Sequence, residues 1–321
     1  MADYLEGRIE HVDRHLSNIV VNYRPTGMIW DRIAPIVSVP NESDSFLTFD
    51  QADMLRRPST LRSRGAEAQK VRWGVSSDSF RVQNYALMHE IPIEDIANSD
   101  PIFRLNDEAN RAQHVADFIQ LDAEARIGSY LRNTSNVGSF VAVASAWTNH
   151  SVSKPFNDLF TAIKNVEDAT GYRPNRAVFG RQAWRELLVN DQMIDKTRGT
   201  AVTGADFSPS TQLVASLLEL DEVLVGGTYI NSADEAQALS LQSIWGYDVL
   251  VYYAPKVPSM DVPSFMYTFR WAAPEIPNMY VIRHPYDSKK HVRALEVGYY
   301  QAEKIVSKSL SFLIRAVGSS Q

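Results

Sequence analysis

One apolar stripe of helical period runs from about residue 101 to residue 133, and it constrains the fold more than any other feature of this chain. Asp100-Pro101 is typical of a helix N-terminus, and no further proline occurs before Pro155. Between them, small and apolar residues recur three and four positions apart. These are Leu105, Ala109, Ala112, Ala116, Ile119, Ala123, Ile127 and Leu131. The spacing predicts one helix of about 50 Å, roughly three times the mean length in globular proteins.

The rest of the chain mixes helices with strands, which indicates an α+β fold with long-range strand pairing. Residues 45–49 and 71–88 alternate polar with apolar side chains and predict two long antiparallel strands around a polar tip. Residues 176–227 alternate short strands and helices in a βαβ-like order, and the chain turns to strands from residue 248 onward. Five strands are predicted in the second half, at 248–253, 265–271, 279–283, 292–300 and 305–317.

Composition places the chain among ordinary globular proteins. Of its 321 residues, 45% are hydrophobic and 22% are charged, which excludes disordered, collagen-like and membrane-spanning chains. The chain has no cysteine, so disulfides, thiolate nucleophiles and Cys-ligated metals are excluded and a reducing cytoplasm is expected. The first residues lack a secretory signal, and no window approaches the roughly 18 apolar residues of a membrane helix.

The sequence lacks the motifs of the common catalytic and nucleotide-binding sites. Neither Gly-x-Gly-x-x-Gly, nor Gly-x-x-x-x-Gly-Lys-[Ser/Thr], nor Gly-x-Ser-x-Gly occurs. His11 and His15 are spaced to share a helix face, but no third metal ligand accompanies them. The acidic cluster His89-Glu90 with Glu94-Asp95 is interpreted as flanking a buried strand edge. We therefore expect no catalytic residue, no cofactor and no metal.

Acidic residues also occur along the predicted long helix. They are interpreted as its solvated or partner-facing side. They are Asp107, Glu108, Asp117, Asp122 and Glu124.

A basic segment between Gln51 and Val75 is the strongest functional signal. It holds two acids, Asp53 and Glu67, so the overall charge of −6 is the sum of +4 here and −10 elsewhere. Its six basic residues, which we predict to contact another subunit, are Arg56, Arg57, Arg62, Arg64, Lys70 and Arg72. Such a charge split suits head-to-tail contact between identical copies, with the basic hairpin over an acidic face of the next copy.

Geometry supports the same hypothesis. A hairpin over residues 41–90 could extend roughly 60–80 Å at about 3.3 Å per residue, against a radius of gyration of about 20 Å for the whole chain. Because an isolated two-stranded ribbon is marginal in water, we expect it to need a neighbour. Two alternatives remain open at this point: a nucleic-acid clamp, and a solvated loop without function.

The order of these parts is informative: an N-terminal arm, a long basic hairpin, one long helix, an α/β middle region and a strand-rich return. Four local stretches add to it. They are Phe49-Asp50-Gln51-Ala52-Asp53 through Arg62, Arg173-Pro174-Asn175-Arg176-Ala177-Val178-Phe179-Gly180, Ile244-Trp245-Gly246-Tyr247-Asp248 with Tyr252-Tyr253-Ala254-Pro255, and Gly298-Tyr299-Tyr300 through Val306 to Phe312-Leu313-Ile314. Over nearly its whole length the chain resembles the major capsid protein of tailed bacteriophages, with the Hong Kong-type capsid fold.

The resemblance implies a division of the chain. Residues 1–40 would be the N-terminal arm and residues 41–90 the extended loop. Residues 91–171 and 260–321 would form the peripheral domain with its spine helix at about 101–133, and residues 172–259 the axial domain. The implied function is structural and not enzymatic: pentamers and hexamers that build an icosahedral shell around double-stranded DNA.

The implied partners are copies of the chain itself, a scaffolding protein during assembly, a portal at one vertex, a decoration protein outside and packaged DNA through non-specific contact, with no membrane. Since the arm starts almost at Met1, a separate scaffolding protein is expected. Lys70 is the one lysine of the loop, and no covalent crosslink is predicted from it. The implied location is the virion, assembled in the host cytoplasm. Encapsulin nanocompartments, which share the fold and enclose protein cargo, are the alternative.

Overall fold

Two five-stranded sheets and one helix of 32 residues organise the chain in the computed structural model. The structure describes residues 13–22, 27–49, 57, 59–65, 67–68, 70, 75–94, 101–198, 210–234, 237–260, 262–272, 279–315 and 317–318. The helices are α1 (Arg14–Asn22), α2 (Trp30–Ile33), α3 (Pro101–Arg132), α4 (Pro155–Thr170), α5 (Arg181–Val189), α6 (Asp191–Arg198) and α7 (Thr211–Leu217).

The strands of the described part follow in chain order. They are β1 (Ile36–Val39), β2 (Ser43–Phe49), β3 (Val75–Arg81), β4 (Gln83–Pro92), β5 (Ser139–Ala142), β6 (Arg176–Gly180), β7 (Glu222–Gly226), β8 (Tyr229–Asn231), β9 (Leu241–Ser243), β10 (Val249–Tyr252), β11 (Met266–Trp271), β12 (Met279–Arg283), β13 (Val292–Ile305) and β14 (Ser311–Arg315).

Helix α3 confirms the long helix that the periodicity predicts. Its stripe faces inward and is divided between two cores. Ile119 packs with Val297 and Tyr299 of β13, whereas Ile127 packs with Trp245 and Leu250. The helix therefore connects both halves of the molecule through the same apolar face.

The first sheet is built around β13, the longest strand. Its order is β1-β11-β13-β12, and β4 pairs with β13 through ten residue pairs from Val292↔Pro92 to Gln301↔Gln83. Strand β1 joins β11 in parallel. The sequence pattern gave no strand at β1, because Pro35 and Pro40 bracket only four residues. Strand β4, the second strand after the polar tip, thus becomes part of the central sheet.

The second sheet has the order β5-β14-β10-β6-β7. Strands β6 and β7 are parallel, as the βαβ-like pattern predicts for this region. The single strand predicted over 305–317 is wrong. Strand β13 ends at Ile305, a 3-10 turn covers Lys308–Leu310, and β14 then enters the second sheet beside β10 and β5. The polar residues Ser307 to Ser309 make this turn, and the last strand therefore crosses from one sheet to the other.

Within the described ranges, no helix combines the length and apolar character needed to cross a membrane.

Candidate assembly surface

The predicted hairpin has a paired base. Strands β2 and β3 are antiparallel over seven residue pairs, from Ser43↔Arg81 to Phe49↔Val75. The strand predicted over 71–88 is two strands in the structure, because Val82 is buried between β3 and β4 and its N–H donates to the Glu42 carbonyl over 2.9 Å. Residues 71–74 lie outside the described part. The chain segment between Phe49 and Val75 is thus held at both ends by one ribbon.

Two phenylalanines fix this ribbon to the body of the subunit. Alternation along the strands places Phe46 and Phe80 on one face, while Ser45 and Ser79 face solvent. Both aromatic side chains pack on Phe269 of β11, with ring centroids 4.2 Å apart for Phe80 and 5.5 Å apart for Phe46. The hairpin is therefore rooted on the sheet by aromatic packing.

On the helix side, Arg126 of α3 fixes the exit strand β4. Its guanidinium lies 3.7 Å above the ring of Tyr85 and donates to Glu303 of β13 over 2.8 Å. Burial alone would lower the pKa of Arg126, but Glu303 and Tyr299 raise it above the ordinary arginine value. Burial also raises the pKa of Tyr299 to about 12. Arg126 therefore stays charged and Tyr299 stays neutral near neutral pH, and their contacts hold the helix and the strand together.

The opposite face of β4 is fixed by a tyrosine that crosses a glycine. The Tyr280 hydroxyl of β12 donates to Asn84 of β4 over 3.1 Å. Gly298 of β13 lies beneath that ring, and a Cβ there would come within 2.5 Å of the hydroxyl oxygen. Only a glycine leaves room for this crossing, which ties three strands together.

The polar tip lies outward from this rooted base. All eleven tip residues that the structure describes between positions 57 and 70 are exposed, including Arg57, Arg62 and Arg64. Lys70 forms an ion pair with Glu67 over 3.1 Å, and both side chains are about four fifths exposed. Arg56 and Arg72 lie outside the described residues. The arrangement presents basic side chains to solvent at the far end of an anchored ribbon.

Two of the other charged candidates of the sequence have partners within the subunit, whereas Glu94 is exposed. His89 lies 3.2 Å from Arg111 of α3, and Glu90 pairs with Lys290 over 2.7 Å. Asp95 and His11 lie outside the described part, and His15 is in α1. Over the residues that the structure describes, no group of three or more His, Cys, Asp or Glu could hold a metal ion.

The interpretation of Glu124 as a solvated or partner-facing acid is wrong, since this side chain is fully buried. One carboxylate oxygen accepts from the backbone N–H groups of Ile29 and Trp30, over 3.0 and 2.8 Å. Burial raises the pKa of the Glu124 carboxyl, although these hydrogen bonds oppose the rise. Glu124 lies three residues before Ile127, a spacing that places it on the apolar stripe of the helix. This spacing is the sequence signal that could have predicted its burial.

No protein-family model matches the chain. Two phage proteins are nevertheless similar to it in sequence. The major capsid protein of Pseudomonas phage JBD67 is 24% identical over 261 residues, which are 81% of this chain and 83% of that protein. The major capsid protein of Burkholderia phage BcepMu is 23% identical over 273 residues, which are 82% of this chain and 84% of that protein.

Solved structures share the fold over almost the whole chain. A phage-related protein from Bordetella bronchiseptica RB50 has a TM-score of 0.75 at 22% identity, covering 98% of this chain and all of that chain. The capsid of cyanophage P-SCSP1u has a TM-score of 0.56 at 10% identity, covering 91% and 89%. A virus-like particle from Pyrococcus furiosus has a TM-score of 0.52 at 13% identity, covering 94% and 96%.

These likenesses confirm the fold class and the resemblance expected from the order of parts along the sequence. The chain has the α+β Hong Kong-type capsid fold and resembles the major capsid proteins of tailed bacteriophages.

Proposed function

We propose that this protein is a phage major capsid protein whose copies assemble as pentamers and hexamers into an icosahedral shell around double-stranded DNA. One observation carries the proposal: a basic hairpin stands exposed on a rooted ribbon, in a chain that matches two major capsid proteins over four fifths of its length. The role is structural, with no catalytic step.

The hairpin supplies the contact between subunits. The segment from Gln51 to Val75 carries +4 while the remaining chain carries −10, so the tip of one copy is attracted to the body of the next. Exposed ion pairs are each worth only about 0–1 kcal/mol. In a closed shell, however, each subunit is held by several neighbours at once, and linked weak contacts give high overall stability. The rigid root matters because it keeps the tip positioned before contact.

The division of the chain follows the same proposal. Residues 1–40 form the arm, 41–90 the extended loop, 91–171 with 260–321 the peripheral domain, and 172–259 the axial domain. The pairing of β2 with β3 supports an extended loop that begins near residue 41. Strand β4 pairs with β13, so the last residues assigned to the loop also belong to the central sheet. Strands β5 and β14 join the sheet of β6, β7 and β10, so both parts of the peripheral domain contribute to the axial sheet.

The further partners in this proposal are a scaffolding protein, a portal at one vertex, a decoration protein and packaged DNA held by non-specific contact. The particle would be the virion, assembled in the host cytoplasm. Because the chain as a whole is negatively charged, DNA contact would be confined to local basic surface.

Sizing of the purified protein tests the proposal. Sedimentation and negative-stain electron microscopy are expected to show closed particles of megadalton size. A protein that stays monomeric across a wide range of concentration and ionic strength would contradict a shell function. A salt-dependent shift of labelled DNA by the monomer would instead support the nucleic-acid clamp.

An encapsulin-like compartment around cargo protein is the second candidate, favoured by the likeness to the Pyrococcus furiosus virus-like particle. The contents of particles recovered from their natural host decide between the two. Nuclease-protected double-stranded DNA supports the capsid, whereas a co-purifying enclosed protein without DNA supports the compartment.

A further inference from the structure

Strand β5 is an edge strand that presents apolar side chains to solvent. It pairs with β14 on one side, and among the described strands none borders its other side. All four residues of β5 are exposed, including Phe140 at 56% and Val141 at 43%. Successive side chains of a strand point to opposite faces, so apolar surface is exposed on both. An edge of this kind is a template for pairing with another strand.

The β8–β9 hairpin is a second element of the same kind. Its two strands have three residues each and form a two-stranded sheet of their own. Leu239 and Leu241 are 69% and 64% exposed, and Tyr229 is 38% exposed. A two-stranded hairpin is marginally stable alone, and this one turns apolar side chains toward solvent.

Both elements lie in stretches that are nearly free of charge. Residues 133–153 contain no Asp, Glu, Lys or Arg, although at 22% charged residues a stretch of this length would hold about four or five. Residues 223–247 contain only Asp234 and Glu235. The centres of protein interfaces are depleted of charged residues in the same way. The two surfaces thus match each other in polarity, and neither matches the charged remainder of the protein.

The topology places these elements apart within one subunit. Strand β5 is one edge of the second sheet, and β7 is the other edge. The hairpin leaves the sheet from the end of β7, through Gly226 and Gly227. Complementary surfaces at the two edges of one sheet allow head-to-tail contact between copies. Copies joined in this way form a closed ring when the rotation from one copy to the next permits it.

We propose that β5 of one copy docks against the β8–β9 hairpin of a second copy, extending the sheet from subunit to subunit. This inference rests on the proposed function, because it requires copies of the chain to associate. This contact is distinct from the one made by the basic tip, because it is uncharged and formed by strand pairing. Salt should weaken the contact of the tip but leave this contact unchanged.

Engineered disulfides test the contact, since the chain has no cysteine of its own. Phe140→Cys and Val141→Cys are each combined with Leu239→Cys or Leu241→Cys, which covers both strand faces and neighbouring registers. Facing side chains on paired strands have Cβ atoms about 4.5–5.5 Å apart, close to disulfide geometry. At least one pair is expected to give, after mild oxidation of particles, a ladder of covalent dimers and higher oligomers on a non-reducing gel.

Three controls separate the possible outcomes. Each single-cysteine variant should stay monomeric on the gel, and a dimer from Phe140→Cys alone would show that β5 pairs with β5, against the proposal. Phe140→Cys with Val257→Cys, an exposed position outside both elements, should give no ladder. Intact particles without a ladder from any of the four pairs would overturn this inference and leave the shell function standing. Absence of particles from the unmodified protein would overturn both.

Discussion

The Glu124 carboxylate accepts a hydrogen bond from the indole N–H of Trp245 over 2.6 Å, and both residues are buried. Its second oxygen accepts from the backbone N–H groups of Ile29 and Trp30. Two segments that are distant in the sequence, at residues 29–30 and at Trp245, therefore meet at one carboxylate of the long helix. A buried charge is stable only when it is hydrogen-bonded, so these segments and Glu124 depend on one another.

We expect Glu124→Ala to lower the free energy of unfolding by on the order of 3 kcal/mol or more. The substitution leaves three buried N–H donors without an acceptor, and each such loss costs about 1–3 kcal/mol. Urea denaturation followed by circular dichroism measures the change. Asp122→Ala is the matched control on the same helix, because Asp122 is 58% exposed and its ion pair with Arg126 is worth about 0–1 kcal/mol at most. Equal effects from the two substitutions would contradict the role of Glu124.

The stability contributed by Glu124 should depend on pH in a defined direction. Burial raises the pKa of this carboxyl above its ordinary value of 4.5, so the folded state binds a proton that the unfolded state has already released. Stability therefore falls as pH rises from 4.5 through the folded-state pKa, and is level above it. Glu124→Gln removes the titration. The free energy of unfolding of the unmodified protein, minus that of the Gln variant, should decrease as the pH rises above 4.5 and become constant above the folded-state pKa. A constant difference would show that Glu124 titrates alike in both states.

The long helix could be predicted from sequence because its signal is local: the apolar positions that define it are three and four residues apart, and the protein buries that same stripe against β13 and β10. Glu124 could not be placed by the same rule, since its charge suggested solvent while its partners, near residues 29 and 245, are distant in the chain. For the same reason the turn between β13 and β14 was missed. Ile305 and Phe312 read as one apolar strand, and only their pairing in two different sheets separates them.

The candidate site shows the same limit. The charge pattern identified the basic tip, and alternation identified the strands of its base, both from neighbouring residues. The anchoring of the hairpin by Phe269, Arg126 and Tyr280 depends on contacts across more than forty positions of sequence, and no local pattern indicates them.

A charge in the buried stripe should prevent folding. Ile119→Asp places a carboxylate in the apolar cluster of Val297 and Tyr299, where its desolvation is costly. We expect little soluble protein, or a melting temperature lowered by several degrees. Phe118→Asp is the matched control, since the neighbouring Phe118 side chain is 63% exposed and should tolerate the change. Unchanged yield and melting temperature for Ile119→Asp would contradict the packing of this helix face.

The aromatic root of the hairpin should control its local stability. Phe80→Ala removes the stacking on Phe269. A core truncation of this kind lowers the free energy of global unfolding by about 3–5 kcal/mol when the site unfolds together with the rest of the protein. We expect faster hydrogen exchange of the amides in β2 and β3, with smaller changes in β6 and β10. Ser79→Ala, at the exposed adjacent position, should leave exchange unaltered. Uniform acceleration throughout the protein would show instead that the hairpin base is part of a single cooperative unit.

Charge reversal at the tip separates folding from assembly. Changing Arg56, Arg57, Arg62 and Arg64 to Glu turns the local charge from +4 to −4, so the tip is repelled by the negative body of a neighbouring copy. The described residues of this set are exposed, and we therefore expect an unchanged melting temperature together with loss of particles in electron micrographs.

An equal charge change elsewhere is the control for that experiment. Reversing Lys164, Arg185, Lys196 and Lys289, which are exposed and lie outside the hairpin, alters the net charge by the same amount. If assembly depends on where the charge lies, this variant should still form particles. If both variants lose particles, net charge and not the tip controls assembly. Normal particles from the tip variant would contradict the role of the hairpin, because repulsion at each contact would then be without effect on the shell.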